Sequence, residues 1–143
     1  MSVDAVTLLG NLTAGPQGVC EGGFPSGVLQ VAFGLAGSCP GAGTKPALKK
    51  FWTSQDVNSP SAFVALDGIG PGQSVTRANT FYLRSLSAMQ LQLTFLDPGG
   101  GADIVSIVPV QGLLILEPSE TGALKLLEAK GAGKVEYFAS GNL

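Results

Sequence analysis

Histidine is absent from this sequence, and charge is scarce: Asp, Glu, Lys and Arg together make up 13% of it, against about 25% in an ordinary soluble domain. Without histidine, the usual Ser-His-Asp and Cys-His nucleophilic arrangements are excluded, and so are imidazole metal sites. Cysteine is limited to Cys20 and Cys39. Their spacing fits no zinc motif, and in a reducing compartment they read as two small thiols rather than a disulfide. Aromatics are few, with one Trp and two Tyr. Glycoside hydrolysis can run on two carboxylates alone, but the carboxylates here are dispersed and there is little aromatic material to line a cleft. No enzymatic activity is expected. Long apolar runs are also missing. The best candidate, residues 104–116, is interrupted by Ser106, Pro109, Gln111 and Gly112 and falls short of the roughly 20 residues a membrane helix needs. The first residues, MSVDAVTLLGNL, have no basic segment and carry Asp4, so no secretory signal is read there. The expected product is made in the cytoplasm and stays there or leaves inside an assembly. No basic stripe marks a nucleic-acid surface. The net charge is −2, and the densest cationic group is Lys45, Lys49 and Lys50, which reads as a strand edge guarded against unwanted pairing. Neither nucleic acid nor membrane is expected as a partner.

What is present is a greasy chain of 143 residues with a mean hydropathy of +0.34. That length suits one domain, and such a domain buries roughly two-thirds of its unfolded surface without metal or disulfide. The first 44 residues contain no Lys or Arg and hold ten of the 21 glycines. They read as long Gly-Pro loops around a short strand at 28–33. The opening residues suit a strand, a helical turn or an arm that reaches a neighbour. From Lys45 onward, strand patterns recur at 47–54, 61–69, 74–77, 80–86, 88–96, 103–110, 112–118, 123–130 and 134–141. Residues 119–131 allow a helix, but Thr121-Gly122 favours strand. Turn signals every 8 to 12 residues predict an all-β domain. The expected architecture is a β-sandwich of jelly-roll type, since eight strands in two Greek keys need about this length. Residues 1–44 form a Gly-rich arm or loops of that domain, and 45–143 form its body.

One stretch shows the pattern best. Met89, Leu91, Leu93 and Phe95 alternate with Gln90, Gln92 and Thr94, the chain turns at Asp97-Pro98-Gly99-Gly100-Gly101, and a second apolar run begins at Ile104. This is a β-hairpin whose first strand has a polar face without charge. A solvent face recruits Lys and Glu. A contact face does better without them, because desolvating a charge costs several kcal/mol while a paired amide loses little. The candidate interface is therefore Gln90, Gln92 and Thr94, with Tyr82, Arg84 and Arg77, residue types that interfaces retain. Val3, Val6 and Leu8 of the opening segment complete it. Trp52, set between strand formers, is expected in the core. The DPGGG turn lacks the ending of a phosphate loop. Asp67, Asp97 and Asp103 lack calcium-loop spacing and read as turn caps. No cofactor and no metal are expected.

Three segments, FYLRSLSAMQLQLTF at 81–95, PVQGLLILEP at 109–118 and GAGKVEYFASGNL at 131–143, resemble small structural proteins of tailed bacteriophages. The likeness runs over 80–143 and is to jelly-roll cement or decoration proteins. It implies a virion location, binding to a major capsid protein or other virion proteins, homo-oligomerisation and no catalytic residues. Two alternatives stand beside it. One is a tail, fibre or spike module that binds a host glycan, which requires an exposed aromatic platform. The other is a non-viral homo-oligomeric β-domain, such as a trimer of the tumour-necrosis-factor type.

Overall fold

The computed structural model describes residues 4–6, 10–14, 29–33 and 45–142, with side chains from 47 onward. Its regular elements are all β-strands: β1 (Asp4–Val6), β2 (Gly10–Ala14), β3 (Leu29–Phe33), β4 (Lys45–Ala47), β5 (Lys49–Ala65), β6 (Thr80–Phe95), β7 (Ile104–Leu116) and β8 (Leu124–Gly141). β1 and β4 form one two-stranded sheet, and β2 and β3 another. The chain divides into two compact units, one of them Ala5–Lys45 and the other Pro46–Leu143 with Met1–Asp4. In the smaller unit, β2 and β3 pair antiparallel from Gly10↔Phe33 to Ala14↔Leu29.

The larger unit is built on a four-stranded antiparallel sheet in the order β5-β8-β6-β7. Its strands are 13 to 18 residues long, against a usual length of about 5–6. The sequence predicts roughly twice as many strands here, each about half as long. The breaks it marks are bends, not turns. In β5 the register with β8 shifts between Ser59 and Val64, and in β6 the register with β7 shifts between Ser85 and Met89. Gly112 of β7 and Gly131 and Gly133 of β8 hold φ of 107°, 144° and 151° within their strands. The pairings Ser85↔Gly112, Met89↔Gly131 and Ser59↔Gly131 place these irregularities in one line across the sheet. Bulges and glycines let a long strand turn a corner while keeping its ladder on either side.

The corner is sharp enough to fold the sheet over. Leu124 at the start of β8 bridges to Ala78, while Ser140 near its end pairs with Thr80. A straight strand would hold those two β8 residues about 50 Å apart at ~3.3 Å per residue. Here both meet the same short stretch of chain. Both halves of the sheet therefore contribute to one core. Phe81, Leu83, Val135, Tyr137 and Ala139 come from one side of the bend, and Leu91, Leu93, Leu127 and Ala129 from the other. Leu66, Ile69, Val75 and Ala78, from the connection between β5 and β6, pack into the same core.

Tyr137 is the largest fully buried side chain among the described residues. Its hydroxyl donates to the Asp67 carbonyl at 2.6 Å and lies 3.1 Å from the Gln55 side-chain oxygen. Its ring packs against Phe51 with centroids 6.1 Å apart. Gly68 holds φ of 87° directly against the Phe51 ring, where a Cβ has no room. The β6–β7 hairpin is present as expected, with Phe95 opposite Ile104. Asp97 caps its tip, accepting from Gly99 N at 3.1 Å and Gly101 N at 2.9 Å. Asp103 pairs with Lys125 at 2.6 Å.

Candidate surface on the outer face of the folded sheet

Strand alternation gives the folded sheet an inner face, which is the core, and an outer face. On one side of the bend, cross-strand register aligns Trp52 of β5 with Phe138 of β8, Phe138 with Tyr82 of β6, and Tyr82 with Ile115 of β7. The neighbours Phe81, Leu83, Tyr137 and Ala139 are buried, so this row points outward. Trp52 is 72% exposed, and Phe138 and Tyr82 are half-buried. The expectation that Trp52 is core is corrected. It sits on the outer face of an edge strand, with Phe51, its inner neighbour, packed on the core.

The next row along the same face is polar: Ser54, Glu136, Arg84 and then Leu113. Arg84 and Glu136 form a partly exposed ion pair at 3.7 Å. A shallow pocket of about 300 Å³ opens there, lined by Ser54, Arg84, Leu86, Ser87, Lys134 and Glu136. Leu86 beside it is 81% exposed.

Across the bend, Gln90 and Gln92 also face outward on β6. Gln92 donates to Glu128 of β8 at 2.9 Å, and Gln90 is paired with Lys130 of β8, whose ammonium lies 5.0 Å from the Phe63 ring centroid. On the other side, Gln90 and Gln92 face Pro109 and Ile107 of β7. The neutral strip is thus a boundary between a charged strand and an apolar one. Thr94, at 8% exposed, is largely withdrawn from solvent. Gln90, with Pro60, Ala88, Pro109, Gln111 and Lys130, lines a cavity of about 520 Å³ at the bend.

β7 completes the face. It is an edge strand, carries no charged residue, and exposes on this face Val105, Ile107 and Leu113, with Val105 at 55% and Ile107 at 56%; Ile104, opposite Phe95, is exposed on the other face. Pro109 sits at its middle and has no N–H to offer along the open edge. Of the sequence-derived interface residues, Tyr82, Arg84, Gln90 and Gln92 share this outer face. Arg77 lies elsewhere, in a cavity of about 440 Å³ with Asn79, Asp97 and Glu120 at the end of the sheet. Val3 and Leu8, and the loops around Cys20 and Cys39, lie outside the described residues, and of Val6 only the backbone is described. The exposed apolar members of β7 were not singled out in the sequence, where they read only as the apolar second strand of a hairpin. Strand periodicity cannot tell an outward apolar residue on an edge from an inward one in the middle of a sheet.

Lys49 and Lys50 are exposed at the start of β5, which is the other edge strand. Among the described residues, no group of three or more Cys, Asp or Glu side chains is placed to hold a metal ion, and no helix is long and apolar enough to cross a membrane. Comparison with family models, curated proteins and solved structures finds no match to this chain.

Proposed function

We propose that this protein is a structural virion component of the cement or decoration type, which binds an assembled shell and stabilises it. One observation carries the reading: β7 is an uncharged edge strand whose Val105, Ile107 and Leu113 are exposed on one face. A soluble monomer blunts such an edge with charge or covers it, because an open apolar strand is a template for association. Here Pro109 limits strand addition, and the apolar side chains remain for face-to-face packing. Their partner is the major capsid protein or another virion protein, or a second copy within an oligomer. The doubled sheet supports a β-sandwich of jelly-roll type, its two layers made by the two halves of the same long strands. The cation-free segment 1–44 serves as an arm or loops against neighbouring subunits.

The mechanism is mass action. A protein that binds the closed shell and not its separated subunits adds its binding free energy to the closed state, and repetition over a lattice lets modest contacts accumulate. The test is rebinding. Virions from the native source are stripped of this chain and incubated with recombinant protein. The proposal expects bound chain and a raised temperature of shell disruption, with both lost in Ile107→Lys. Shells that take up no recombinant chain would overturn it.

A further inference from the structure

Beyond the shell-binding role and independent of it, we propose that the outer face carries a carbohydrate-binding site made of Trp52, Phe138 and Tyr82 as stacking platform and Ser54, Glu136 and Arg84 as the adjoining hydrogen-bonding row. A pyranose ring has two chemical characters. Its C–H faces are apolar and stack on aromatic rings, while its hydroxyls around the rim need both donors and acceptors. The two rows present these characters side by side in strict register: Trp52↔Phe138↔Tyr82, then Ser54↔Glu136↔Arg84.

Neighbouring side chains in such rows lie about 5 Å apart. The three rings therefore run across the strands as a continuous track, suited to an extended polysaccharide and not to one isolated ring. Trp52, at 72% exposed, is available for stacking without rearrangement. A planar residue left this open has no packing role in the fold, and aromatic residues with one wet side are typical of recognition surfaces. Arg84 brings five N–H donors, and one ion pair at 3.7 Å leaves most of them free for a ligand. Glu136 supplies acceptor oxygens, and Ser54 supplies both donor and acceptor. The pocket of about 300 Å³ beside them is at the small end of ligand pockets, ~300–1,000 Å³, the scale of a single sugar unit held while the rest of the chain lies along the rings.

Because Trp52 is the only tryptophan, its fluorescence reports this site alone. The full-length chain is titrated with hexasaccharides of the β-1,4-glucan, α-1,4-glucan and chitin series and with a uronic-acid polymer, and its migration is followed in gels containing each parent polysaccharide. The expected result is a saturable change in emission with at least one probe and retardation in the matching gel. Trp52→Ala should weaken binding at least tenfold by retardation, and Trp52→Tyr should retain it within a few-fold. Both variants should keep the wild-type unfolding midpoint, since Trp52 is solvent-exposed, and both should still bind virion shells. Absence of any saturable response and any retardation across the four probes would overturn the proposal. So would retardation that Trp52→Ala leaves unchanged.

Discussion

At the level of single residues, the core and the surface make opposite demands on aromatic side chains. Tyr137 is enclosed, and its phenol is held well above the usual tyrosine range. Burial disfavours the phenolate most, and the nearby Asp67 carboxylate adds to it. Because the folded-state value is raised, the folded protein retains a proton that the unfolded chain releases above about pH 10. The corresponding stability is fully present below that pH and is lost as pH rises beyond it. Denaturant unfolding between pH 9 and 12 should therefore show falling stability, and Tyr137→Phe should flatten that fall. At neutral pH the same variant should cost about 1–2 kcal/mol, because the Asp67 carbonyl loses its donor. Thr80 presents the reverse case. Its buried hydroxyl has no hydrogen-bond partner among the described residues, so Thr80→Val should raise stability by about 1 kcal/mol in the same assay. Trp52 illustrates what sequence could not settle at this level. The pattern Phe51-Trp52-Thr53 places two aromatics on opposite faces of a strand, and nothing in it says which face is covered.

At the level of elements, the surprise is length. Eight of the nine short strands read from the sequence fall into four pairs, and each pair proves to be one strand with a corner in it; the ninth, 74–77, is irregular chain with a single bridge from Val75 to Ile69. Glycines and bulges were legible as interruptions. Whether an interruption reverses the chain or only bends it depends on which strand lies beside it, and that is a long-range fact. Gly133 tests the difference. Its φ of 151° is one that other residues rarely adopt, and a Cβ there would stand 2.5 Å from the Ser87 hydroxyl oxygen. Gly133→Ala should destabilise the protein by about 1–3 kcal/mol, measured by chemical denaturation. An alanine at a simple flexible turn would cost little. The β6–β7 hairpin was legible in full, because local alternation and the Asp97 turn carry it without help from distant residues.

At the level of the whole molecule, the all-β class was readable from the spacing of strand signals, and the uncharged polar residues of the second half of β6 were legible as one face of a strand. The sequence pointed to Gln90, Gln92 and Thr94. Folding places those residues between the charges of β8 and the exposed apolar edge of β7, with Thr94 largely buried. The weight of the proposed interface moves accordingly to Val105 and Ile107. Ile107→Lys should leave stability within about 0.5 kcal/mol, as expected for an exposed site away from the core, while removing association; sedimentation velocity and thermal unfolding on the same samples separate the two effects. The most direct measurement is cryo-EM of particles purified from the native source, searched for density of this chain. The account predicts ordered copies on the shell with the apolar edge of β7, at Val105 and Ile107, against capsid protein. Particles that lack the chain, or that carry it with β7 turned to solvent, would contradict it.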